Sequence, residues 1–192
     1  MRNLLFVYLL IFISCNTKNR NIQVNEQQFD TVQVNYTKNV DNYSNYVSVF
    51  LDYEYTGEVY IFDKSHHIIR TVNNDLENEN IVMFKLLEKN DSMFFVVAYW
   101  ALDEKKIAEG WIYKSNHLGI FSAAYARDFV LYEEPYDRNK IVVIDNEYNP
   151  EMYEVIDFKG RWLKIKARIE NKFYEGWIPP EMQCSNVYST CN

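Results

Sequence analysis

Glu175-Gly176-Trp177-Ile178-Pro179 repeats, over its first four residues, the run Glu109-Gly110-Trp111-Ile112 that lies 66 positions earlier. In a chain of 192 residues, a repeat at that period predicts two copies of one small unit. Each run closes an alternating stretch. Gly just before Trp at such a place lets another strand approach closely, and the Trp is then expected to plug a small barrel.

Working outward from 175–179, alternation of apolar and polar residues predicts strands at 173–178, 162–169, 152–156, 140–144 and 129–132. The earlier copy gives strands at 58–62, 68–72, 81–87, 93–100 and 107–113, after a loosely alternating stretch at 46–55 and a turn at Thr56-Gly57. Polar loops such as 73–80 separate them, and 115–128, with Ser122-Ala123-Ala124, reads as the crossing between copies. No stretch holds a helical period. Aromatic residues make up 17% of the chain, with 16 Tyr and 12 Phe, and that bias favours strands as well.

The first fifteen residues read as an address. Arg2 supplies a positive head and 4–13 is an unbroken apolar run, too short to span a bilayer as a helix. Phe12-Ile13-Ser14-Cys15 resembles the lipobox of bacterial lipoproteins, which implies cleavage before Cys15 and acylation of its thiol. Residues 16–42 are rich in Asn, Gln, Thr and Lys, the composition of a tether, with Val32, Val34 and Tyr36 alternating as one edge strand would. The tail 16–20 has no acidic run, which favours an envelope protein facing the periplasm. Two cysteines remain, Cys184 and Cys191, and an even pair in an oxidising compartment predicts a disulfide. The net charge of −7 excludes a nucleic-acid partner held by its phosphates, and equally adhesion to anionic lipid by charge alone.

Five short strands with acidic loops and a Gly-Trp on the last strand resemble a bacterial SH3 domain. Leu131-Tyr132 stands where that family has its opening Leu-Tyr. Gly160-Arg161-Trp162-Leu163-Lys164-Ile165 is similar to its turn and groove-bearing strand, and Glu175-Gly176-Trp177-Ile178-Pro179 to its closing strand. The Cys-bounded tail 184–191 resembles that of some envelope lipoproteins carrying the domain. The resemblance is strong over 125–192 and weak over 58–114, where Tyr113 replaces Pro179 and no Trp precedes Val96. It implies an all-β fold of two small SH3-like five-stranded barrels in tandem, after a signal peptide (1–14) and polar tether (15–42). The degenerate copy covers 43–122, and 123–192 holds the second copy with its disulfide loop.

The strand at 162–169 adds its own evidence. Leu163, Ile165, Ala167 and Ile169 form one face, so Trp162, Lys164, Lys166 and Arg168 form the other. An indole on a solvated, basic face needs something to touch: either a ligand, or another domain or loop packed over it. With Tyr132, Tyr136 and Pro179 it makes an aromatic slot of the kind that docks extended or Pro-rich peptides, and the flanking cations favour a ligand carboxylate.

Catalytic and metal motifs fare worse. His66 and His67 are adjacent and point to opposite faces of a strand, and His117 falls in a linker. No HExxH, paired CxxC or GxSxG occurs, and the cysteines are committed elsewhere. Asp145-Asn146-Glu147 with Asn149 and Glu151 hints at a calcium loop, but Pro150 occupies the place of its Gly. Asp75, Glu77 and Glu79 occupy the matching loop of the first copy, and both loops read as solvated turns. The expectation is a lipid-anchored binding module without catalysis, cofactor or metal, whose partner is a cell-wall peptide or an envelope protein segment. The alternative is a structural or immunity-type accessory acting through a surface outside the slot. Units this small bury only about 60% of their unfolded surface, so the two are expected to pack together.

Overall fold

Thirteen strands, every pairing antiparallel, make up one sheet in the computed structural model, which describes residues 46–123, 128–137, 139–144, 151–169, 171–188 and 191. All of them belong to one unit, Val40–Asn192. No helix among the described residues is long and apolar enough to cross a membrane. The expected strand at 32–36, the lipobox and most of the 145–151 loop lie outside the described residues.

In chain order the strands are β1 (Val47–Leu51), β2 (Val59–Phe62), β3 (Ile68–Val72), β4 (Val82–Lys89), β5 (Met93–Trp100), β6 (Lys106–Tyr113) and β7 (Leu118–Ser122). There follow β8 (Phe129–Tyr132), β9 (Lys140–Ile144), β10 (Tyr153–Lys159), β11 (Trp162–Ile169), β12 (Lys172–Ile178) and β13 (Gln183–Cys184). The hydrogen-bonded path runs β3-β2-β6-β5-β4-β1-β7-β10-β11-β12-β8-β9, with β13 beside β7. The path is open and ends on β3 and β9.

Its order is a palindrome. β3-β2-β6-β5-β4 on one side and β9-β8-β12-β11-β10 on the other are the same arrangement written in opposite directions, with β1 and β7 between them. In each group the first and last strands in sequence are neighbours, through a single pair: Phe62 across from Trp111 in one, Tyr132 across from Trp177 in the other. The internal repeat read from Glu-Gly-Trp-Ile is thus a repeat of topology and register.

The alternation that makes these strands also fills the core. On β11, Leu163, Ile165, Ala167 and Ile169 are buried while Lys166 and Arg168 are exposed. One apolar cluster draws on both groups: Phe84, Phe94, Val96 and Ile112 from the first, Phe129, Leu131, Tyr153 and Ile165 from the second, with Val49, Leu118 and Ile120 between. A shared core removes the difficulty of stabilising two small units separately. Phe94 and Phe158, centroids 5.9 Å apart, and a Lys89–Asp157 ion pair of 2.5 Å link the two groups directly.

The expected crossing at 115–128 proved partly strand. Leu118, Gly119 and Ile120 are buried, and a β-carbon on Gly119 would collide with Tyr153 O at 2.5 Å, so this segment is wedged between β1 and β10. Of the small residues, Ser122 still belongs to β7 and pairs with Gln183 of β13, and the Ala123 N–H donates to the Met182 carbonyl at 2.8 Å.

The tail is bridged. Cys184 and Cys191 form a disulfide with Cα atoms 5.5 Å apart. β13 pairs with β7, and Val187 packs against a second apolar cluster of Phe50, Ile81, Met83 and Tyr99. The end of the second group thereby rests on the first.

Candidate functional site

Trp162 opens β11, directly after the turn at Gly160-Arg161. Gly160 has φ +58°, a conformation that costs a side chain dearly, and a β-carbon there would also lie 2.6 Å from the Tyr136 hydroxyl. The turn is pinned from below, where the Gln183 side-chain amide donates to the carbonyls of Arg161 (2.8 Å) and Ile178 (3.1 Å). The indole is therefore carried on a fixed corner.

Two of its expected partners meet it there. The Tyr132 ring stands edge-on to Trp162, centroids 5.3 Å apart at 80°, and the Tyr136 ring is tilted at 59° and 5.5 Å. These are the offset geometries that aromatic quadrupoles favour. Tyr136 is 68% exposed, Tyr132 and Trp162 half-buried, so ring surface stays open to solvent. The register of β11 on β12 ends at Leu163 across from Ile178, and one step further carries Trp162 opposite Pro179. Pro179 is buried at the start of a short 3₁₀ turn, Pro180–Met182. Because Pro179 is buried, the open surface belongs to Tyr132, Tyr136 and Trp162.

Two expectations need correction. Trp177 does not plug the apolar interior. Residues directly across antiparallel strands share a face, and Trp177 lies across from Lys164 and Tyr132, on the outer side with Glu175 and the exposed Phe173. It is 6% exposed all the same, and it is not a member of the main apolar cluster. The inner position beside it is held by Gly176, whose missing side chain leaves room for Leu131 and Ile141. The second correction concerns the cations around Trp162. Lys164 pairs with Glu175 at 2.8 Å and Lys166 with Glu154 at 3.8 Å, across the strands, and Arg168 donates to Asn171 Oδ1 at 2.9 Å. The outer face is a ladder of alternating charge, worth about 0–1 kcal/mol per exposed pair, and not a field of unmatched positive charge.

The equivalent place in the first group is aromatic too. Phe62 and Tyr113 meet edge-on at 5.5 Å and 78°, and Phe95 and Trp111 at 5.3 Å and 55°. Tyr113 stands across from Met93 as Pro179 does from Trp162, so a buried Met replaces the indole. Beside this cluster lies a cavity of about 120 Å³, walled by Tyr55, Tyr60, Phe62 and Tyr113. Tyr55 is held there by stacking on His117, centroids 3.8 Å apart. Sequence reasoning missed this wall because Tyr55 and His117 are brought together only by the fold. The Phe62–Trp111 pairing was available in principle, from laying the two repeats over each other.

The weaker candidates that lie among the described residues resolve into turns. Asp63 Oδ1 accepts backbone N–H groups of Ser65 (2.7 Å) and His67 (2.9 Å), closing the β2–β3 turn with His66 at φ 61°. The His67 backbone bond foremost, with that from Ser65 and the nearby imidazole, holds the Asp63 carboxyl below its usual range. Asp75 caps the 3₁₀ turn Leu76–Asn78, accepting from the Asn78 backbone N–H (3.3 Å) and side-chain amide (2.8 Å). Among the described residues no three His, Cys, Asp or Glu side chains gather as a metal site would need. Comparison of the chain with protein-family models, with curated proteins and with solved structures returns no match.

Proposed function

We propose that this protein is a lipid-anchored, non-catalytic binding module of the bacterial envelope, taking an extended peptide in the slot of Tyr132, Tyr136 and Trp162 with Pro179 opposite Trp162. Each group of five strands is, in this reading, an SH3-like barrel left open where β3 and β9 end the path. Acylation at Cys15 anchors the chain and 15–42 tethers it, facing the periplasm. The ligand is a cell-wall peptide or a segment of another envelope protein.

The observation that carries the reading is the pair of ring contacts on Trp162, 5.3 and 5.5 Å, with Tyr136 left 68% exposed. Three rings held at angles to one another by a rigid corner offer ridges and clefts to a ligand with little ordering left to do, which favours extended or polyproline-like chains. The test is titration of purified muropeptides and envelope extract fractions onto the full chain in detergent. Trp162→Ala is expected to lose binding while giving up only about 1 kcal/mol of stability. Unchanged binding by that variant would refute the slot. For the anchor, Cys15→Ser is expected to leave the detergent phase, because stable attachment requires more than one acyl chain.

A further inference from the structure

We infer that the first group of strands carries a second site, for a cationic ligand: a polypeptide segment presenting Lys or Arg side chains. Tyr55 is a wall shared by two cavities. One, about 540 Å³, is bounded by Tyr55 and Trp100 with Asn73, Asp75 and Glu77 at its rim. The other is the 120 Å³ cavity of Tyr55, Tyr60, Phe62 and Tyr113, with Glu58 at its edge. No Lys or Arg lines either one among the described residues. Aromatic faces with carboxylates beside them are the surroundings that ammonium and guanidinium groups select, through ring quadrupole and charge-assisted hydrogen bonds together. An anionic ligand meets repulsion from Glu58, Asp75 and Glu77 there.

The walls are set before any ligand arrives. Tyr55 stacks on His117 at 3.8 Å and 20°, and its hydroxyl donates to Glu58 O at 3.3 Å. The Tyr60 hydroxyl donates to Glu58 Oε2 at 3.0 Å, which leaves the other carboxylate oxygen of Glu58 for a cation at the lip. That bond, with the charge of Glu58, raises the Tyr60 phenol above its ordinary value, so the ring stays neutral. Two cavities that share Tyr55 as a lining residue suit two side chains of one extended segment better than a single small amine. The net charge of −7 draws such a segment in. The slot at Trp162 contributes no residue to this site, so the two succeed or fail separately.

The probe is a blocked peptide of alternating Lys and Ala, titrated calorimetrically onto the full chain in detergent, beside its Glu-for-Lys counterpart and a neutral chito-oligosaccharide. The Lys peptide is expected to bind, more weakly as salt rises, and the Glu peptide not at all. Glu58→Gln and Glu77→Gln, both at exposed positions, are each expected to weaken binding about fivefold, while Trp162→Ala leaves it unchanged. Trp100→Ala should weaken it too; Trp100 packs on the core, so that variant counts only if its melting is unchanged. Equal binding of the Lys and Glu peptides, preference for the oligosaccharide, or no binding of the Lys peptide overturns the assignment.

Discussion

Gly110 sits against the backbone of Phe62 as Gly176 sits against that of Tyr132. A β-carbon on the first would lie 2.5 Å from Phe62 O and 2.7 Å from Ile61 Cγ2; on the second, 3.1 Å from Tyr132 O and 3.0 Å from Leu131 Cβ. The third neighbours match as well, Ile69 Cδ1 and Ile141 Cδ1. The two repeats therefore share contacts at the point where their first and last strands meet, and the first is the tighter at the carbonyl, 2.5 against 3.1 Å. That difference has a measurable sign. Gly110→Ala must push a backbone carbonyl and is expected to cost about 1–3 kcal/mol. Gly176→Ala asks its neighbours to give by only a few tenths of an ångström, and it regains part of the entropy that glycine loses in a strand, so a smaller change, under about 1 kcal/mol, is expected. Urea midpoints with unchanged slopes decide it; equal losses at both sites would mean that the repeats are packed alike.

Strand positions were legible wherever one face had to be aliphatic. Trp162–Ile169 begins and ends where its alternation does, while Phe129–Tyr132, Lys140–Ile144 and Met93–Trp100 coincide with apolar runs bounded by polar loops. Leu118–Ser122 was not, because this short run contains Gly119 and leads into Ser-Ala-Ala, and its place between β1 and β10 rests on long-range pairing. The palindromic path was not legible either. It depends on pairings between distant strands through β1 and β7, and long-range register leaves no local pattern. The slot fared similarly. Trp162 with Tyr132 and Tyr136 followed from alternation and the family resemblance, whereas the burial of Trp177 on an outer face depends on its surroundings across the sheet and not on its own strand.

The two tryptophans of the second repeat should therefore separate by exposure alone. Trp177, 6% exposed, makes close contact with its surroundings, and Trp177→Ala is expected to cost about 3 kcal/mol or more. Trp162, half-buried with two tyrosine contacts, should cost about 1 kcal/mol, and its loss should appear in binding instead. Thermal melts of the two variants check this. A larger loss at Trp162 would show that the corner carries stability before it carries a ligand.

Tyr99 provides a pH signature. It is 8% exposed, its hydroxyl is hydrogen-bonded to Ser48 Oγ at 3.2 Å, and burial raises its phenol above the ordinary value, while donation from the Ser48 hydroxyl to the phenolate and the Lys85 charge act the other way. In the unfolded chain a tyrosine ionises near 10, so above that pH the folded state holds a proton that the unfolded state has released. This contribution is complete below about pH 10 and is lost as pH rises through the higher folded value. Subtracting the Tyr99→Phe stability curve from the parent's removes the titration of the other tyrosines. The difference is expected to be flat up to about pH 10 and to fall beyond it. A difference that stays flat throughout would place Tyr99 in contact with solvent.

The tail strap can be tested for cooperation between its covalent and non-covalent parts. Cys184–Cys191 closes a loop at a sequence separation of 7, for which chain entropy alone predicts about 2.5 kcal/mol. Within that loop Tyr188 reaches back to the first repeat: its hydroxyl donates to Glu79 O at 2.8 Å and accepts from Ile81 N at 3.4 Å. Tyr188→Phe in the oxidised protein removes both bonds and is expected to cost about 1–2 kcal/mol. If the bridge is what holds Tyr188 at that site, the same substitution should cost much less once Cys184 and Cys191 are reduced. The two losses would then fall short of additive by about 1 kcal/mol. Four urea titrations, parent and Tyr188→Phe, each oxidised and reduced, supply the cycle. Strict additivity would mean that the tail docks through β13 and Val187 without help from the bridge. The disulfide would then act on the unfolded chain only.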